Sequence, residues 1–231
     1  MNPPSHHNWN LDYRQAVTLQ ERLAKKVRLR ALPLRKTRFV AGADIAVSKR
    51  LEMLVGAIAV LTFPDLELVE KRFAKRKIAF PYIPGLLSFR EIPVLITCVQ
   101  KVKTPFDVML CDGQGIAHPR GLGLASHLGL LIRKPTIGCA KSLLVGKFGE
   151  VGNTRGAHSP LVFNGKRVGS VLRTRDGVKP VFVSPGHLAD HAGSRRMILS
   201  CANRYRLPEP IRHADRLAGE EKRRLEARRS R

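Results

Sequence analysis

The sequence predicts a single α/β domain on a mixed β-sheet, part antiparallel meander and part parallel strands, flanked by helices. Three observations predict it. Between residues 38 and 78, three strand-like stretches follow one another with no helix between them. From residue 107 short apolar runs alternate with helical ones, which implies parallel pairing through right-handed crossovers. The chain has 231 residues, 43% of them hydrophobic, enough for one domain with a real core.

The elements follow in order. "DYRQAVTLQERLAKKVRL" (12–29) has helical apolar spacing and is expected to cover a face of the fold. "RFVAGADIAVSK" and "MLVGAIAVLTF" are predicted strands, joined by a charged turn at Lys49-Arg50-Leu51-Glu52. "LELVEKRFAKRKI" (66–78) alternates apolar and charged residues, as a partly exposed third strand would. After "AFPYIPG" comes a helix, "SFREIPVLITCVQKV", with Pro93 expected near its first turn, where proline is tolerated. "DVMLCD" reads as a short buried strand, "RGLGLASHLGLLI" as a helix and "PTIGCAK" as another strand. The Gly- and Pro-rich region 141–186 contains a hairpin, "LVFNGKRVGSVLRT", turning at Asn164-Gly165. A helix near 187–204 ends before "RLPEP". Residues 1–218 form the expected domain; 219–231 read as a basic tail, disordered or laid as an arm along nucleic acid.

Charge narrows the function. Lys and Arg number 42 against 18 Asp and Glu, a net charge of +24 that opposes compaction and suits a polyanionic partner. The surplus is spread over "KKVRLRALPLRKTR", "KRFAKRK" and "EKRRLEARRSR", as in a surface that tracks phosphates without reading sequence. No run approaches the roughly 18–20 apolar residues of a membrane span. "MNPPSHHNWN" lacks a signal-peptide pattern, so a cytoplasmic protein is expected. Cys98, Cys111, Cys139 and Cys201 form no CxxC pair and read as reduced, buried hydrophobes. Neither a Walker loop nor a serine elbow occurs. "GHLADH" spaces His187 and His191 like zinc ligands but lacks the His-Glu-x-x-His order, so surface histidines are expected.

Against so few acids, a carboxylate inside an apolar run carries information. Asp44 sits mid-strand in "FVAGADIAVS", Asp112 ends "VMLC", and Glu91 lies near a helix start in "SFREIPV". A lone buried carboxylate costs several kcal/mol unless paired, protonated or metal-bound. If these acids meet, a divalent cation resolves their repulsion, and hard oxygen donors favour magnesium or manganese over zinc. Each also has a plain structural alternative: a backbone or arginine partner for Asp44, the helix dipole for Glu91, a strand-ending turn for Asp112-Gly113. In "FPYIPG", Pro81 and Pro84 stiffen the backbone around Tyr82, so the ring could wedge between bases or pack under its own loop.

"AGADIAV", "PYIPGLLSFREIPVL", "CDGQGIAHPRGLGLASHLGLL", "PTIGCAKSLLVGKF" and "YRLPEPIRHAD" occur in the order and spacing of the endonuclease V family, which residues 14–217 resemble. The resemblance implies a ribonuclease H-like fold and cleavage at the second phosphodiester 3′ to deoxyinosine. It implies metal binding by Asp44, Glu91, Asp112 and Asp215, the last at a position where some members carry His. It implies Lys141 at the scissile phosphate, His118 beside the site and Tyr82, between Pro81 and Ile83, as the wedge. Gly85, Leu87, Gly113, Leu124 and Gly138 match the pocket for hypoxanthine. Gln114 departs from the His or Asn of other members.

The expected chemistry is hydrolysis assisted by Mg2+, with Mn2+ as substitute, leaving a 3′-hydroxyl and a 5′-phosphate. Deoxyinosine-containing DNA is the expected partner and inosine-containing RNA the second, with a monomer as the working unit. The rivals are another ribonuclease H-like nuclease and a non-catalytic nucleic-acid-binding protein.

Overall fold

Small and β-branched residues fill the first two strands, β1 (Phe39–Ser48) and β2 (Met53–Thr62), and both are largely buried. The third, β3 (Leu68–Lys77), alternates charged and apolar side chains and lies at the sheet edge. The structure, a computed structural model, describes residues 7–228; the first six residues and the last three of the basic tail lie outside the described residues. The other strands are β4 (Val108–Cys111), β5 (Thr136–Ala140), β6 (His158–Phe163), β7 (Lys166–Leu172) and β8 (Val181–Pro185). Together they form an eight-stranded sheet in the order β3-β2-β1-β4-β5-β8-β7-β6. The β1–β2–β3 meander is antiparallel, β1, β4 and β5 run parallel, and β8, β7 and β6 return antiparallel.

Helices cover both faces. Ala41, Ala43, Ile58 and Met109 pack with α2 (Leu87–Lys101) and α3 (Leu124–Ile132) on one side. Val40, Leu61, Leu110 and Ile137 pack with α4 (His191–Cys201) and α5 (Glu209–Arg228) on the other. The amphipathic α1 (Tyr13–Ala24), capped by Asp12, adds Ala16 and Leu19 to a smaller cluster with Phe80, Leu86 and Phe89. α5 presses closest to the sheet at Gly42, where a Cβ would overlap the Pro210 backbone, so glycine sets how near the helix lies to β1.

The sequence-predicted strands of the meander, the hairpin turning at Asn164-Gly165 and the parallel pair are present. Four expectations change. Pro93 lies inside α2, past the first turn, where it removes the bond to the Phe89 carbonyl; the burial of Ile92, Leu95 and Val99 holds the helix regardless. β8, hidden in the Gly- and Pro-rich region, bridges β5 and β7. Residues 219–228 continue α5 and dock on the meander: Glu221 pairs with Lys75 at 3.1 Å, and Ser48 donates to Glu226 at 2.6 Å. His187 is buried and accepts the Arg28 N–H at 3.3 Å, so it is no surface histidine. No helix among the described residues is long and apolar enough to cross a membrane.

Candidate active site

Sheet register brings the first two acids together. Ala43 pairs with Cys111 across the parallel β1–β4 ladder, and the Asp112 N–H donates to the Ala43 carbonyl at 3.2 Å. The next position on each strand is therefore an acid, Asp44 beside Asp112. Neighbouring positions in register point to the same side of a sheet. Because β4 stops at Cys111 while β1 runs on to Ser48, the sheet opens where the two carboxylates stand. Asp44 lies on the face that α5 covers, and α5 brings Asp215 close enough to act on its carboxyl. Glu91 approaches Asp112 from α2.

These charges burden one another. Burial raises the Asp44 carboxyl well above the carboxylate range, and Asp112 and Asp215 push it further. Burial lifts Glu91 to about 7, with Asp112 adding to the rise and Arg90 opposing it. Lys141, one residue beyond β5, answers them: its ammonium lies 2.5 Å from Asp112 Oδ2. Burial lowers the Lys141 ammonium, but the bond to Asp112 and the fields of Asp44 and Asp215 outweigh it and raise it overall. Among the described residues no three carboxylate, imidazole or thiol groups close around one point as an ion cage would. The oxygen donors nevertheless suit a hard cation, and a cation, the ammonium, already rests against them.

A cavity of about 430 Å³ opens beside Asp112 and Lys141. Tyr82, Ile83, Gly85 and Leu87 wall it on one side; Gly113, His118 and Leu124 on another; the exposed Leu143 and Leu144 on a third. Glycine at 113 is favoured by its backbone, φ +156°, which L side chains rarely adopt; a Cβ there would make only ordinary contact with Leu124. Gln114 is buried and donates to the Ser142 carbonyl at 3.2 Å, tying the post-β4 loop to the post-β5 loop. Of the expected pocket residues, Pro81 and Gly138 do not line the cavity. Pro81 only flanks Tyr82. Gly138 lies beneath the Gly113–Gly115 backbone, where a Cβ would collide with it, so it positions that loop from below.

Sequence reasoning missed the brace behind the tyrosine. Tyr82 is 68% exposed, yet its loop is anchored at the Gly85 carbonyl, which accepts from Gln20 Nε2 and Arg120 Nη2, both at 2.9 Å. Gln20, fully buried on α1, also donates to the Leu122 carbonyl at 2.9 Å and accepts from Arg120 Nε. His118 accepts the Arg120 N–H at 3.2 Å; burial lowers it to about 4, with Arg120 adding to the fall and the Gly85 backbone opposing it. It is therefore neutral at ordinary pH and belongs as much to the brace as to the cavity. Ser88, at the cavity wall, meets the fully buried His127 at 3.0 Å.

A mixed sheet that opens on paired acids, beside a lysine and a base-sized cavity, is a nuclease arrangement, and comparison with known proteins places it. The family model for endonuclease V matches residues 21–216. This chain belongs to the endonuclease V family. It is 49% identical over 212 residues to endonuclease V of Trichormus variabilis, covering 92% of this chain and 96% of that one. The crystal structure of endonuclease V from Streptomyces avermitilis superposes with a TM-score of 0.91 at 38% identity, covering 94% of this chain and 96% of that one. Endonuclease V of Ciona intestinalis, crystallised with a 24mer DNA containing an inosine followed by a ribo-adenosine, gives 0.80 at 29% identity, over 90% and 97% of the two chains. The fold is thus the ribonuclease H-like fold of endonuclease V, and the protein is a hydrolytic endonuclease.

Proposed function

We propose that the protein nicks DNA at the second phosphodiester 3′ to deoxyinosine, leaving a 3′-hydroxyl and a 5′-phosphate. The observation that carries this is the adjacency of the base-sized cavity to Asp112 and Lys141, with Tyr82 standing at its rim. An extruded hypoxanthine would enter against Gly113 and Leu124, and Tyr82 would fill the space it leaves in the stack. Extrusion costs a few kcal/mol, least for a mismatched base, which itself favours the lesion. Asp44 and Asp112, with Asp215 and Glu91, are the residues that would hold magnesium, or manganese in its place; the ion would polarise the phosphate and lower the pKa of the attacking water. Lys141 would then turn from Asp112 to the scissile phosphate and stabilise the charge that develops there.

Single-stranded and RNA substrates carrying inosine fall within the same reading, since nothing in the cavity depends on a paired partner. The working unit in this reading is a monomer, and four free, buried cysteines suit the reducing cytoplasm. The test uses end-labelled duplexes with one inosine or adenine, in magnesium or EDTA, with the cut mapped to the nucleotide. A magnesium-dependent nick one nucleotide beyond inosine is expected. A cut indifferent to inosine points to another ribonuclease H-like nuclease, and binding without any cut to a silent nucleic-acid-binding protein.

A further inference from the structure

Beyond Lys141 a second groove of about 410 Å³ opens, lined by Lys141, Tyr205, Arg206, Arg212, Asp215 and Arg216. It shares Lys141 with the cavity; Glu91 and Asp112 line the first recess and Asp215 the second, while the buried Asp44 lines neither. A strand whose phosphate rests on Lys141 therefore has a recess on either side.

The groove's chemistry fits such a strand. Arg206 sits at the junction, its Nη2 donating to the Lys141 carbonyl at 2.8 Å and the Pro180 carbonyl at 2.9 Å. Among the described residues Arg206 forms no ion pair, and its buried Nε has no hydrogen-bond partner. The Arg212 guanidinium lies 3.2 Å over the centre of the Tyr205 ring, held by Glu209 at 2.8 Å, and Tyr205 remains 45% exposed. Arg216 pairs with Glu220 at 2.9 Å in an exposed contact that a phosphate can replace. An aromatic ring backed by a planar cation, beside further arginines, takes any base by its face and the backbone by its charge.

We propose that this groove binds the strand 3′ of the scissile phosphate, with a base on the Tyr205–Arg212 platform and phosphates against Arg206 and Arg216. The polarity rests on the proposed function: the lesion base fills the cavity, the cut lies 3′ to it, and the groove is the recess that meets the cavity at Lys141. The groove thus holds the product that carries the 5′-phosphate.

The test compares the wild type with Tyr205→Ala, Tyr205→Phe and Arg212→Gln on 5′-labelled inosine strands. Their 3′ flank ends either a single nucleotide beyond the cut or many nucleotides beyond it. Single-turnover cleavage and fluorescence anisotropy are read on both. Tyr205→Ala should lose roughly 5- to 150-fold on the long flank, as for a lost base–aromatic stack, and nothing on the short one. Tyr205→Phe, which keeps the ring, should match the wild type, and Arg212→Gln should fall between. Equal effects on both flanks, or none on either, overturn the proposal. If the wild type cuts no inosine strand, the functional reading fails by itself. Binding then judges the groove separately: a flank-dependent loss in Tyr205→Ala sustains it, and a flank-independent response ends it.

Discussion

Where the β1–β4 ladder ends, Asp44 and Asp112 follow its last pair and register leaves them one arrangement, whereas the loop from Phe80 to Leu86 has no ladder at all. Tyr82 is placed instead by apolar anchors at Phe80 and Leu86 and by the carbonyl of Gly85. The difference is one of division of labour. Chemistry that needs carboxylates at fixed spacing sits on the rigid sheet, where their mutual repulsion cannot push them apart. Recognition, which has to let a base in and out, sits on a loop pinned at a few polar contacts. Changes at the sheet end should therefore remove turnover and leave binding, and changes at the loop should alter choice of substrate.

The sharpest way to break that division is at the acids. Asp112→Ala or Asp44→Ala should lower single-turnover cleavage by on the order of a thousandfold or more, while anisotropy shows nearly unchanged binding, because dispersed basic residues supply most affinity. Asp44→Asn should also raise the melting temperature of the EDTA-treated protein at neutral pH, since burial beside Asp112 and Asp215 makes the folded carboxyl hold a proton that the unfolded one releases, a cost an amide does not carry. Loss of binding in a folded Asp112→Ala protein would show that the two tasks are not separated.

At the loop, Tyr82→Ala should cost roughly 5- to 150-fold on inosine duplexes, and much less on inosine single strands, where no partner strand needs holding off. Equal losses on both would remove the wedge role. Gln20→Ala tests the brace without touching the cavity. Leaving the Leu122 carbonyl without its donor costs about 1–3 kcal/mol in urea unfolding. The duplex-over-single-strand preference should shift as in Tyr82→Ala but by less. An unchanged preference would mean that Phe80 and Leu86 hold the loop without the brace.

The same contrast decides what could be read from the chain. The meander was legible because alternation along β3 and apolar runs in β1 and β2 are local signals. Asp44 and Asp112 stood out because one interrupts an apolar run and the other ends one; Glu91 showed only as an acid near a helix start, and Asp215 only through the family resemblance. The brace was not: Gln20 lies 65 residues from Gly85 and 100 from Arg120, and a glutamine on a helix carries no mark of its distant partners. α5 escaped because Glu221 occupies its buried face, where an apolar residue would have completed the Ile211, Ala214, Ala218 spacing. β8 is a short apolar run between prolines, which periodicity cannot separate from a loop. Gly138 was seen, but its use is backbone clearance beneath a loop, which only the packed structure displays.

The smallest expected effect separates the two regions by the sign of their pH response. His118 in the brace is lowered from 6.5 to about 4, so between those values the unfolded chain holds a proton that the folded one does not. Stability from this group is complete above pH 6.5 and is lost as pH falls toward 4, by no more than about 1.4 kcal/mol per pH unit. Glu91 at the sheet end is raised from 4.5 to about 7, so in metal-free protein its contribution is complete below 4.5 and is lost as pH rises through 7. Urea unfolding of the wild type and His118→Gln across pH 4 to 7 in EDTA should show the variant with a shallower fall on the acid side. Glu91→Gln should remove only the loss on the neutral side. Parallel curves for His118→Gln and the wild type would mean that the histidine is not buried neutral.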